Sequence, residues 1–120
     1  MIEFIETESP KAVAVAVSGE ITMDDYNQLN PVVENKVKQY GKIPVLLRID
    51  EGIDQDSAKG LLDGGVLDKK RLKDFAKIAV VTDNSRFRWL LRMARFFVPG
   101  ELKLFKTTEQ GKALQWVAAY

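Results

Sequence analysis

Residues 86–97 read RFRWLLRMARFF: four arginines, no acid, and eight apolar residues of which four are aromatic. Aromatic and arginine side chains together suit a segment lying at the interface of an anionic bilayer, with guanidinium groups at the headgroups. They also suit a subunit interface, where Trp, Phe, Met and Arg are enriched. A second set of reactive types is acidic. Asp50, Glu51, Asp54 and Asp56 follow one apolar run, and Asp83 ends the next. Clustered carboxylates can hold Mg²⁺, but the spacing matches no EF-hand or phosphatase pattern. A solvated loop and a helix cap at Asp83 are the plainer reading.

The remaining chemistry is sparse. The chain has no Cys and no His, which removes thiolate catalysis, disulfides, the commonest general base and the commonest metal ligand. No GxGxxG, P-loop or GxSxG occurs. The expectation is a binding protein and not an enzyme, with no cofactor and no metal site. In DQDSAKG, Ser57 or Asp56 can serve as a helix N-cap.

Wound as a helix at about 100° per residue, the 86–97 segment places Arg88, Arg92 and Arg95 in one stripe roughly 60° wide. Trp89 and Phe96 flank it, and Phe87, Leu90, Leu91, Met93, Ala94 and Phe97 complete an apolar arc of roughly 220°. Packing on one layer needs only about 100° or somewhat more. Three outcomes follow for the surplus. Neighbouring helices, the last strand and Trp116 cover it, with arginine stems over ring edges. Or it lines a hydrophobic pocket or meets an anionic membrane surface. Or it is a subunit interface, giving a homodimer. Nucleic acid is not expected, since the isoelectric point near 7.9 lies below that of typical basic domains.

The positions that would hold these residues alternate between strand and helix patterns. Residues 2–6, IEFIE, read as a short first strand, and 12–18, AVAVAVS, as a buried one. Residues 21–42 read as a helix. Thr22 and Asp25 form a capping box, Tyr26, Leu29, Val33, Val37 and Tyr40 form its inner face, and Gly41 ends it. Pro31 should kink or split it, with Asn30 able to cap the second half. IPVLLRID is the next buried strand. Residues 55–75 have helical periodicity interrupted by Gly60, Gly64 and Gly65, whose presence in a helix interior costs roughly 2–3 kcal/mol against alanine. A broken or mobile helix is expected, with Gly60 and Gly64 on one face and the segment serving as a flap over a greasy site. KIAVVTD is a strand, residues 84–100 a helix stopped by Pro99 and Gly100, ELKLFK an edge strand, and 108–120 a closing helix with Leu114 and Val117 on one face. The order β-β-α-β-α-β-α-β-α implies one α/β domain over residues 1–120, with a mostly parallel sheet and right-handed crossovers.

With 120 residues, 46% of them hydrophobic, the chain can bury a substantial core. No run of 18 apolar residues offers a membrane span. The first residues are acidic where a signal peptide is basic, so a cytoplasmic protein is expected, peripheral at the inner face of the membrane. Residues 1–60 hold six Lys and Arg against eleven Asp and Glu, a net −5, whereas residues 61–120 hold twelve against six, a net +6. That asymmetry bears on association rather than fold.

Several stretches carry a family resemblance. An SGEIT turn leads into the first long helix, Pro31 lies inside that helix, and YGK precedes the third strand. LKDFAKIAVVTD precedes a helix bearing Trp89, and LFKTTEQGKALQWV closes the chain. In these respects the chain resembles the SpoIIAA-like proteins, a bacterial group with the STAS fold of anti-sigma-factor antagonists, over nearly its whole length. The resemblance implies a superhelix of βα units with an antiparallel first strand, and a loose relation to Sec14-like (CRAL-TRIO) lipid-binding domains. It suggests membrane association or binding of a hydrophobic, lipid-like ligand. The resulting site is Phe87, Arg88, Trp89, Leu90, Arg92, Met93, Phe96 and Phe97, with Gly60, Gly64 and Gly65 as hinge. The alternative is a STAS-type regulatory protein-interaction module, in which the resemblance makes Ser57, the nearest match to the antagonists' phosphorylatable serine, the candidate phosphosite and switch, with a phosphate near a helix N-terminus electrostatically favoured. Here Ser57 lacks the Asp-Ser-Ser-Gly turn of the antagonists and follows a seven-residue loop, residues 50–56. A carboxylate enzyme using Asp50 or Asp83 is the third class.

Overall fold

A computed structural model describes residues 1–120. Five strands form one sheet in the order β1 (Ile2–Phe4), β2 (Val13–Val17), β3 (Ile43–Ile49), β4 (Phe75–Val81) and β5 (Glu101–Phe105). β1 pairs antiparallel with β2, and every other pair is parallel. The strands succeed one another across the sheet without reversal. With a constant handedness of crossover, the intervening helices must then all fall on one face.

Side-chain alternation shows that they do. Val13, Val15 and Val17, with Val45, Leu47, Ile49, Ile78 and Val80, meet Leu29 and Val33 of α1 (Met23–Tyr40), Leu61 of α2 (Gln55–Leu62) and Leu91 of α4 (Ser85–Ala94) in the larger core. The opposite face is lined by smaller residues. Ala14, Leu46, Ala79, Val81 and Phe105 pack on Ala113 and Val117 of α5 (Gln110–Ala118). β2 is buried on both sides, which is why it alternates Val with Ala rather than apolar with polar. No helix is long and apolar enough to cross a membrane.

Local signals behave as physical chemistry requires. The Thr22 side chain accepts the Asp25 amide, the Asp25 carboxylate accepts the Thr22 amide, and Gly41 closes α1 at φ 79°. Pro31 does not split α1. The carbonyl it leaves without a helical donor belongs to Asn27, and Asn27 and Pro31 both lie on the exposed side, where solvent can satisfy it. Asn30 therefore caps nothing.

The glycine-containing segment is broken as expected, at Gly64 and Gly65, while Gly60 stays inside the helix. α2 ends at Leu62, a turn follows with Gly64 at φ 87°, and α3 (Lys69–Leu72) is a single turn. Gly60 and Gly64 therefore share no helix face. The close approach is at Gly65, where a Cβ would stand 2.3 Å from the Gly60 carbonyl oxygen and 2.6 Å from the Tyr26 hydroxyl. Leu61, Val66 and Leu67 are core residues, so this segment is anchored into the interior and does not form a free flap.

Candidate functional site

α4 is launched from the carboxyl end of β4. Thr82 is fully buried, and its hydroxyl accepts the Asn84 amide at 3.2 Å. The Asn84 side chain in turn accepts the amides of Arg86 and Phe87 at 3.0 and 3.3 Å, which makes Asn84 the N-cap. Asp83, expected in that role, instead accepts the amide and hydroxyl of Thr107. Those two bonds, the hydroxyl's first, hold its carboxyl below the usual range.

The helix enters the core with little of its apolar surface. Leu91 is buried, and Phe87 packs at the core's edge. Trp89, Met93, Phe96 and Phe97 are 64%, 55%, 76% and 87% exposed. The expectation that neighbours cover this surplus is corrected by the layer arrangement. Trp116 lies on the other side of the sheet, its ring tilted by 52° against Phe105 with centres 6.1 Å apart, and no element crosses over the outer side of α4. Phe96 and Phe97 sit in a 3₁₀ turn, residues Arg95–Phe97, that extends α4 outward. The arginine-over-ring contact survives once, with the Arg95 guanidinium 5.5 Å from the Phe96 ring centre.

The arginine stripe is divided. Arg88 turns inward, where its Nη1 donates to the carbonyl oxygens of Thr82 and Phe105, each at 3.0 Å. It therefore clips α4 to the ends of β4 and β5 and is not a free surface charge. Arg92 and Arg95 are exposed. The protein's two ion pairs, Met1 with Asp25 and Arg48 with Asp50, involve neither of them. Like charges three and four residues apart on a helix destabilise it by about 0.2–0.5 kcal/mol per pair.

Two grooves flank α4. One, about 320 Å³, lies between α2 and α4 and is floored by Ile53, Ala58, Leu62, Phe87 and Leu90, with Arg86 at its rim. It opens at the carboxyl ends of β3 and β4, where ligands of parallel sheets bind. The other, about 220 Å³, lies between α4 and β5 and is bordered by Arg88, Arg92 and Arg95. Of the sequence-derived site, the structure thus gathers Trp89, Met93, Phe96, Phe97 and Arg92 on one surface. It places Phe87 and Leu90 in the α2–α4 groove and withdraws Arg88.

Ser57 lies apart from this surface. It is buried, at the third position of α2, and its hydroxyl accepts the Ile21 amide at 2.8 Å. The N-cap is Asp54, not Ser57 or Asp56. The acidic loop is similarly occupied. Asp50 holds Arg48, Asp54 caps α2, and no group of three or more His, Cys, Asp or Glu side chains is arranged to hold a metal ion. Sequence reasoning missed the roles of Asn84, Asp54 and Thr107. Asn84 and Asp54 are both residue types favoured at an N-cap and so carry a local signal for their roles, whereas Thr107 carries none.

The SpoIIAA-like family model matches residues 12–118. The chain is also similar to the crystal structure of an uncharacterized protein with a SpoIIAA-like fold from Shewanella loihica. The two are 26% identical, with a TM-score of 0.64 over 98% of this chain and 92% of that one. No curated protein matches.

Proposed function

The chain belongs to the SpoIIAA-like family, and from that footing we propose that it is a non-catalytic binding protein that docks on an anionic membrane surface through α4 and the turn after it. One observation carries the reading. Trp89, Met93, Phe96 and Phe97 project from the body beside Arg92 and Arg95, which have no acidic partner. Large contiguous apolar exposure marks interaction surfaces. A fully buried large apolar side chain is worth about 1.5–3 kcal/mol, and each arginine near an anionic leaflet adds about 1 kcal/mol. The α2–α4 groove beside the same patch offers room for part of an apolar ligand. The protein works in the cytoplasm and is peripheral at the inner face of the membrane in this reading.

The second reading is a STAS-type protein-interaction module, favoured by the family itself. The same patch would then seat a protein, a second copy included. Ser57 is a poor switch for it, because its buried hydroxyl is already engaged by Ile21.

Flotation with phosphatidylcholine and with phosphatidylglycerol vesicles separates the two. Wild type should float with phosphatidylglycerol only, while Arg92→Glu/Arg95→Glu and Phe96→Ser/Phe97→Ser should remain at the bottom. Arg88 is unsuited to this test because its substitution loosens α4. Absence of flotation with either lipid sinks the membrane reading. A dimer in sedimentation that Phe96→Ser/Phe97→Ser dissolves would assign the patch to a second copy.

A further inference from the structure

We propose that the groove between α4 and β5 is a binding site for a phosphate oxyanion. Three guanidinium groups, those of Arg88, Arg92 and Arg95, border a space of about 220 Å³, and no acidic residue lines it. Leu91, Leu102 and Leu104 form its apolar walls. Lys103 also borders the groove, but its ammonium lies over the rings of Phe105 and Trp116, at 5.5 and 5.8 Å, on the α5 face of the sheet. The positive charge inside the groove therefore belongs to arginine, the residue whose planar fork matches phosphate geometry in bidentate fashion.

The three are not equivalent. Arg88 is half-buried and spends only Nη1 on the protein, at Thr82 and Phe105. Its Nε and Nη2 have no protein acceptor, and the two carbonyl contacts hold the guanidinium in place beside the groove that Arg88 lines. Arg92 and Arg95, one and two turns further along the same stripe, have no oxygen acceptor; Arg92 can close over the anion from the mouth, and Arg95 can join it by leaving the exposed Phe96 ring, 5.5 Å from its guanidinium. With a water occupying about 30 Å³, the space accommodates a phosphate group together with part of its hydration. The nearest carboxylate is that of Asp83, which feels the Arg88 charge but has both oxygens engaged by Thr107 and lies outside the groove's lining. The only acid on β5 is Glu101 at its first residue, outside the groove's lining.

The site goes beyond the membrane reading, because a free phosphate ester and a lipid headgroup present the same chemistry. The test uses the intact protein and follows the Nε–H resonances of Arg86, Arg88, Arg92 and Arg95. Inorganic phosphate and glycerol 3-phosphate are titrated against chloride at matched ionic strength. Saturable shifts at residues 88, 92 and 95 but not at Arg86 are expected. Arg92→Gln/Arg95→Gln should weaken them roughly ten- to a hundredfold, as loss of charged hydrogen bonds predicts, with an unchanged backbone amide spectrum. Non-saturating drift, or equal shifts at Arg86, overturns the site.

The vesicle arm separates the sources. If Phe96→Ser/Phe97→Ser keeps phosphate binding and loses phosphatidylglycerol vesicles while Arg92→Gln/Arg95→Gln loses both, the ligand is a headgroup. If phosphate binds and wild type ignores vesicles, the ligand is a soluble phosphate ester and the membrane reading fails alone. Vesicle binding without phosphate shifts overturns the groove and leaves the membrane reading standing.

Discussion

Arg88 donates through Nη1 to the carbonyl oxygen of Phe105, 17 residues away in sequence, while the same nitrogen holds Thr82. The bond joins the helix that carries the exposed patch to the last residue of the edge strand. Removal strands the Thr82 carbonyl at the end of β4, while the Phe105 carbonyl keeps the Thr82 backbone amide at 3.0 Å. Arg88→Ala should lower unfolding stability in urea by about 1.5–3 kcal/mol, the range for hydrogen bonds to charged groups. Arg92→Ala should change it by no more than about 0.5 kcal/mol, as for an unengaged surface residue. Equal effects from the two would remove the clip.

Two glycines five residues apart should respond in opposite directions. Gly60 lies inside α2 with open space where a Cβ would stand, whereas at Gly65 a Cβ would overlap the Gly60 carbonyl and the Leu61 Cα. Gly60→Ala should stabilise by about 0.5–1 kcal/mol. Gly65→Ala should destabilise by roughly 1–3 kcal/mol, because backbone atoms must shift. Thermal melts of both variants check the pair, and a stabilising Gly65→Ala would contradict the packing described.

Ser57 tests whether its hydroxyl is structural. Ser57→Ala leaves the Ile21 amide without its partner, at a cost of about 1–3 kcal/mol if no water replaces it. Ser57→Asp adds a charge at the same buried point and should be worse than alanine. An aspartate variant as stable as wild type would reopen Ser57 as a tolerant modification site.

Acid should weaken the fold through identifiable carboxylates. Asp25 titrates below its ordinary range chiefly because it accepts the Thr22 amide, and Asp83 does so because it accepts Thr107. A depressed folded value means that the unfolded state binds protons first as pH falls. The contribution is complete above the ordinary aspartate value of about 3.9 and is lost as pH drops through the depressed value. Asp25→Asn and Asp83→Asn should each flatten the fall of stability between pH 5 and pH 2, roughly the window in which such groups titrate. Stability curves superimposable on wild type throughout that range would show that the bonds are not kept in solution.

The two tryptophans provide a built-in reporter. Trp89 is exposed on α4, whereas Trp116 is half-buried on the other face, with Lys77 4.8 Å from its ring centre. Phosphatidylglycerol vesicles should shift emission to shorter wavelength in wild type and Trp116→Phe, but not in Trp89→Phe. A shift retained in Trp89→Phe would place the contact surface elsewhere.

The sequence disclosed what is local. The capping box at Thr22 and Asp25, the doubly buried β2 and the oversupply of apolar residues on α4 all follow from neighbours within a few positions. What stayed hidden depends on partners distant in the chain. Arg88 reads as one of three equivalent charges until Phe105 is placed beside it, and Asp83 reads as a cap until Thr107 takes its carboxylate. Ser57 reads as a cap until Ile21, 36 positions earlier, is brought over it. Pro31 misleads for the opposite reason. Its local rule holds, but exposure of the orphaned carbonyl makes the defect mild.

The exposed patch has one more consequence, for how this protein can change. Trp89, Met93, Phe96 and Phe97 contribute almost nothing to the interior, and the helix beneath them is held by Asn84, Arg88 and Leu91. Folding therefore exerts no selection on those four positions. Mutation can rewrite them at little expense to the scaffold, so a lineage could exchange one binding target for another without first stabilising its fold. Where they are retained, the pressure that keeps them must come from outside the molecule.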